Sequence, residues 1–224
     1  MNRNNQPPDR SLNFKKINMK KFCIILTAIL ISLNISAQQD NKAGSILDKV
    51  TEKTKSYKSI KIDFTYRMEN KEAEIDESKE GTIILKGEKF RLNIAGQLVF
   101  SDGETIWTYI KDAEEIQLNS VEEGDESINL NKILISYSED YKARFVKSTK
   151  ENGIDLQIID LVPNEGKTYF KVRLIIDEAK SQIKKAMIFD KNGSTYTYEI
   201  NKFIPNPEVN EKDFSFNASD YPDA

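Results

Sequence analysis

The sequence predicts a mainly β chain: one domain of about eleven antiparallel strands with two or three helices. Three observations predict it. Apolar and polar residues alternate with a period of two through most of residues 60–203, the mark of half-buried strands. The breaks between these segments are mostly one to four residues long. That suits hairpins and excludes parallel crossovers, which need a dozen residues or more. No linker, internal repeat or low-complexity tract divides the segments.

The N-terminus stands apart from this pattern. Residues 1–18 are polar and carry Pro7-Pro8. From Met19, a second candidate start, Lys20 and Lys21 precede an apolar run from Phe22 to Ile35, broken by Thr27, Ser32 and Asn34. Ile35-Ser36-Ala37 and then Gln38-Gln39-Asp40 follow. A positive start, a short apolar middle and a small-residue exit make a secretory signal. The run is about 14 residues, short of the roughly 20 that a membrane-crossing helix needs. Cys23 lies at the entrance of the run, not at its exit, so no lipid-attachment cysteine is expected. The expected organisation is residues 1–37 as an extension and cleaved signal, and 38–224 as the working domain.

Cleavage after Ala37 removes the chain's one cysteine, six basic residues and one acid. The remainder holds 27 basic and 35 acidic residues, a net charge of −8. Such a surface repels phosphate backbones, so nucleic acid is not an expected partner. It also argues against permanent adhesion to an anionic membrane.

Ile46, Leu47, Val50 and Tyr57 fall at helical spacing and predict the first mature element. Ile60, Ile62, Phe64, Tyr66 and Met68 then alternate with polar residues and predict a strand. Residues 69–80 are highly charged and are expected to form a hairpin loop. Further strands are expected over 81–86, 89–95, 97–101, 105–111 and 114–121. An acidic loop over 122–126 leads to a second expected helix over 128–137, with Leu130, Ile133, Leu134 and Tyr137 on its apolar face. Strands follow over 141–148, 154–162, 168–177, 183–190 and 194–203, and a last short one is expected over 213–216.

A single sheet of this size curls, and its apolar face must be covered. Two short helices cover too little. The sheet either folds into a sandwich or curves around a cavity, and composition does not separate the two. The large residues expected inside are Phe64, Tyr66, Met68, Phe90, Leu92, Ile94, Leu98, Phe100, Leu174, Ile176, Met187 and Phe189.

Little in the chain suggests catalysis. It has no histidine, which excludes a Ser-His-Asp triad, a Cys-His pair and a histidine-built zinc site. Its acids cluster in charged loops, as solvated surface does, rather than as a glycosidase pair. There is no phosphate-binding glycine loop and no EF-hand spacing. Asp102-Gly103 reads as a hairpin turn. Asp177, Asp190 and Asp213 read as strand ends. Trp107 with Tyr109 could stack on a sugar, but more commonly such a pair packs across strands. Binding fits better than an enzyme, and no cofactor or metal is expected.

The stretch Leu98-Val99-Phe100-Ser101-Asp102-Gly103-Glu104-Thr105-Ile106-Trp107-Thr108-Tyr109 resembles the SDG-x-T-apolar-W-x-Y hairpin of the LolA-type outer-membrane lipoprotein carriers. Phe64-Thr65, Gly81 to Leu92, Phe170 to Asp177, Ile183 to Lys191 and Asp213 to Phe216 resemble further pieces of that family in the same order. The likeness spans nearly all of residues 40–221. It implies an unclosed, strongly curved half-barrel whose helices act as a lid over an apolar cavity. It also implies a monomeric periplasmic carrier that takes acylated lipoproteins from an inner-membrane ABC-type release complex to an outer-membrane acceptor. The lipid-binding residues it implies are Phe64, Tyr66, Phe90, Leu92, Ile94, Leu98, Phe100, Trp107, Tyr109, Leu174, Met187 and Phe189. The implied lid residues are Ile46, Leu47, Val50, Lys86, Arg91, Ile133 and Leu134.

Two positions depart from the family pattern. Lys86-Gly87 stands where the family has a lid-contacting arginine, usually followed by proline, and lysine lacks arginine's planar fork. The contact then falls to Lys86, Arg91 or Arg67. Leu92 stands where the family often has tryptophan. The same fold also suits a carrier of free lipid or glycolipid, or a periplasmic sensor or adaptor domain.

Overall fold

Eleven antiparallel strands pair into one sheet in the computed structural model, which describes residues 40–121 and 139–220. Residues 40–55 form helix α1. The strands are β1 (Ile60–Asn70), β2 (Ile75–Lys86), β3 (Lys89–Ile94), β4 (Gln97–Ser101), β5 (Thr105–Ile110), β6 (Glu115–Ser120), β7 (Tyr141–Glu151), β8 (Ile154–Pro163), β9 (Tyr169–Asp177), β10 (Gln182–Asp190) and β11 (Thr195–Pro205). Their order in the sheet is β6-β5-β4-β3-β2-β1-β11-β10-β9-β8-β7. Every neighbouring pair is consecutive in sequence except β1 with β11. The sheet does not close: β6 and β7 are its two edges. This is the open half-barrel, not the sandwich.

Local chemistry sets the hairpins. Between β7 and β8 only Asn152-Gly153 remains, with φ of +51° and +81°. Two successive left-handed residues match the right-handed twist of the flanking strands. At the β4–β5 turn, Asp102 Oδ1 accepts the backbone N–H groups of Glu104 (3.0 Å) and Thr105 (2.9 Å). These bonds hold its carboxyl below the ordinary carboxylate range.

Two expectations are corrected. Residues 69–80 are mostly strand: β1 runs to Asn70, β2 begins at Ile75, and only 71–74 turn. The charges sit there as cross-strand pairs rather than as a solvated loop. Arg67 grips Asp76 through Nε (2.8 Å) and Nη2 (2.7 Å), and Thr65 Oγ1 donates to Glu80 (2.9 Å). The last expected strand is instead a 3-10 helix, Glu211–Phe214. Phe214 is wholly buried there, so the segment is fixed by packing rather than by a ladder. The expected second helix over 128–137 lies outside the described residues.

One core cluster joins α1 to the sheet. Ala43, Leu47 and Val50 of α1 pack on Ile159, Leu161, Val172, Leu174, Ile176, Ala186 and Ile188, with Ile46, Tyr196, Tyr198 and Ile200 at its margin. All the sheet residues lie on one face, here the helix face. The core therefore sits under α1 on β8–β11.

A candidate lipid-binding face

The helix face continues beyond α1 onto β1–β5, and the strand register spells out what it carries. One row runs Ile60, Leu85, Phe90, Ser101, Ile106. The next runs Ile62, Ile83, Leu92, Val99, Thr108, and the third Phe64, Gly81, Ile94, Gln97, Ile110. These rows are largely apolar, yet Phe90, Leu92, Ile94, Val99, Ile106 and Ile110 are only half-buried. None of these six belongs to the core cluster under α1.

Where the last turn of α1 meets this face there is a cleft of about 370 Å³. Ile60 and Leu85 line it from the sheet, Thr51, Thr54 and Tyr57 from the helix side, and Lys55, Lys58 and Glu88 with them. The volume lies within the range of about 300–1,000 Å³ found for small-molecule sites. At the opposite end of β1, Tyr66 lies 5.3 Å from Tyr198 and 6.4 Å from Tyr196, ring to ring. Burial pushes the Tyr198 hydroxyl up to about 12. The face is thus apolar along β1–β5 and aromatic where β1 meets β11.

Half of the residues expected to bind lipid lie here: Phe64, Tyr66, Phe90, Leu92 and Ile94 on β1 and β3, and Leu174 under α1. The other half do not. Leu98, Phe100, Trp107 and Tyr109 turn to the opposite face, because Leu98 pairs with Tyr109 and Phe100 with Trp107, out of step with Val99 and Thr108. There the C-terminal segment packs on two of them: Phe216 meets Phe100 at 6.2 Å and Tyr109 at 6.3 Å. Phe100 is 4% exposed and Leu98 6%, more deeply buried than Val99, which lies between them on the helix face. Met187 and Phe189 also turn away, opposite Arg173 and Lys171.

The expected lid residues divide too. Ile46, Leu47 and Val50 face the core from α1. Lys86 and Arg91 face the C-terminal segment instead. Lys86 Nζ (2.5 Å) and Lys89 Nζ (2.7 Å) both donate to Glu211, and the Arg91 guanidinium sits 5.3 Å over the Phe100 ring. Ile133 and Leu134 lie outside the described residues. Sequence reading missed Ile83, Leu85, Val99, Ile106 and Ile110. Their signal is pairing parity, since each stands directly across from an apolar neighbour on the helix face or one register step from it.

Comparison with known proteins gives the family. The sequence profile of the outer membrane lipoprotein carrier protein LolA matches residues 55–217. No curated protein matches. Among solved structures, an uncharacterized conserved protein from Thermus thermophilus is 10% identical, with a TM-score of 0.56 over 80% of this chain and 96% of that one. A LolA superfamily protein from Nitrosomonas europaea is 15% identical (TM-score 0.44; 78% and 97% covered). The Mycobacterium tuberculosis lipoprotein LppX is 14% identical (TM-score 0.46; 75% and 98% covered). Among the described residues, no helix is long and apolar enough to cross a membrane. With the profile matching most of its length and the sheet open between β6 and β7, the chain belongs to the LolA family of outer membrane lipoprotein carrier proteins.

Proposed function

We propose that this protein is an exported, monomeric carrier of the acyl chains of lipoproteins. In this reading, residues 1–37 form an extension and a leader that is cleaved. The compact unit from Gln39 receives cargo from an inner-membrane ABC-type release complex and delivers it through the periplasm to an outer-membrane acceptor. The observation that supports this is the half-buried apolar face of β1–β5. Moving an acyl chain into water costs about 0.8 kcal/mol per CH₂, so cargo crosses an aqueous space only if comparable apolar surface travels with it. The three rows offer that surface, and their incomplete burial leaves it able to accept a chain and let it go. No bond is made or broken in such a task, so we propose a binding protein, not an enzyme. Ile46, Leu47 and Val50 hold α1 as the fixed border of the site.

Native mass spectrometry of the protein isolated gently from the cell envelope tests this. A one-to-one complex with an acylated lipoprotein is the expected result. A small-lipid adduct in its place would make the protein a carrier of free lipid instead.

A further inference from the structure

The opposite face of β7–β10 carries a charge pattern that the chain's overall acidity hides. Lys142, Arg144 and Lys147 point there from edge strand β7, Lys171 and Arg173 from β9, and Lys185 from β10. Between β7 and β11 two acids share these three rows, while Asp177 and Glu151 lie just beyond them on the same face and Glu69, Asp76 and Glu80 continue the rows on β1 and β2. Asp160 accepts two hydrogen bonds from Arg173, Nε at 2.7 Å and Nη2 at 2.8 Å, and lies 3.6 Å from Lys171 Nζ. Glu199 pairs with Lys185 at 2.8 Å. Lys142, Arg144 and Lys147 are exposed and have no ion-pair partner among the described residues.

Amid these cations stands an exposed aromatic. Phe189 pairs with Lys171 and Asp190 with Tyr169, so Phe170 is the extra residue of a bulge. Bulges re-aim side chains. Here Tyr169 is buried, its hydroxyl 2.5 Å from that of Tyr141, while Phe170 stays 51% exposed against Phe189, 6.1 Å away ring to ring. Lys171 Nζ sits 4.2 Å over the Phe189 ring. Lysines on an edge strand can simply deter edge-to-edge pairing. That accounts for β7 but not for a phenylalanine left in water among cations two strands further in.

We propose that this face docks reversibly on an anionic lipid bilayer, with Phe170 entering the interface and the cations meeting headgroup charge. Cations beside an exposed aromatic suit the boundary between headgroups and acyl chains. The cations stand on three strands, β7, β9 and β10, and the large apolar group is exposed rather than recessed. A planar anionic surface fits that better than an acidic peptide would. The net charge of the whole chain opposes permanent adhesion, so contact is brief.

The test is flotation of the exported protein, checked by intact mass for loss of the leader, with phosphatidylcholine vesicles made with and without phosphatidylglycerol. Binding is expected only with phosphatidylglycerol and is expected to weaken with salt. Lys142→Gln, Arg144→Gln and Lys147→Gln should each weaken it about fivefold. Phe170→Ser should remove the binding that survives high salt. All four side chains are exposed, so the fold stays intact. Equal partition to both vesicles, or variants that float like the parent, would overturn the proposal. So would capture by polyglutamate without vesicle binding, which would make the partner an acidic polypeptide. The readout needs no cargo, so it fails or holds independently of the carrier reading.

Discussion

The ring of Phe64 lies across the backbone of Gly81, its cross-strand partner. A Cβ on Gly81 would stand 2.5 Å from Phe64 Cζ and 2.9 and 3.0 Å from the adjoining ring carbons. The ring is buried and backed by Tyr198 at 6.1 Å. Gly81→Ala must therefore displace it, at a cost of about 1–3 kcal/mol, measured by urea unfolding. Phe64→Leu in the same chain should recover part of that loss, a non-additivity expected of touching residues. Additive effects would show that the two positions do not share space.

The two faces of the β3–β4 hairpin should separate loading from stability. Leu92→Asp and Val99→Asp place charge in the half-buried rows and are expected to abolish cargo binding while unfolding remains cooperative. Phe100→Ala empties the packed side under Phe216 and should cost about 3–5 kcal/mol yet leave the folded protein able to load. Native mass spectra and urea midpoints of the three variants check this. Loss of loading by Phe100→Ala at unchanged stability would put the site on the other face.

That contrast shows how far the sequence could be read. Strand number, hairpins and first helix follow from period and turn chemistry, which are local. Parity on β4, β5 and β10 does not, because these strands are apolar on both faces. In Leu98-Val99-Phe100 the larger residues look like the cavity side, but they belong to a second packing layer. That layer exists because Phe214 and Phe216, over a hundred residues later, return to cover it. No window of sequence shows such a return. The charged stretch 69–80 misleads for a related reason: its charges find partners across the ladder, as Arg67 finds Asp76.

The C-terminal cover should carry a pH signature. Hydrogen bonds from Lys86 and then Lys89 hold the exposed Glu211 carboxyl at about 2, below its ordinary 4.5. A depressed carboxyl stabilises the fold above its ordinary value, and the contribution is lost as pH falls towards about 2. Solvent keeps the effect small. Glu211→Gln should flatten the stability profile across that interval and leave it unchanged near neutrality, apart from a constant offset. Trp107, the single tryptophan, pairs across the ladder with Phe100, the ring that Phe216 meets. Phe214→Ala should shift its emission to the red; an unmoved spectrum would mean the cover stays in place.

Tyr141 and Tyr169 form a buried pair, hydroxyl to hydroxyl at 2.5 Å, and burial raises the Tyr141 pKa. Tyr169→Phe strands one hydroxyl and should cost about 1–3 kcal/mol. Replacing both with phenylalanine should restore most of the loss, as thermal unfolding of the three variants would reveal.

Residue 60 pairs with residue 205, while every other ladder joins neighbours along the chain. The first strand made thus waits for the last. At about 5–20 residues per second of synthesis the wait is roughly 7–30 s, and the closing contact must also meet the entropy of a long loop. Until then the two meanders are separate pieces and no complete sheet exists. A nascent chain in that condition is still an unlocked thread, and its sheet is joined only when its tail arrives.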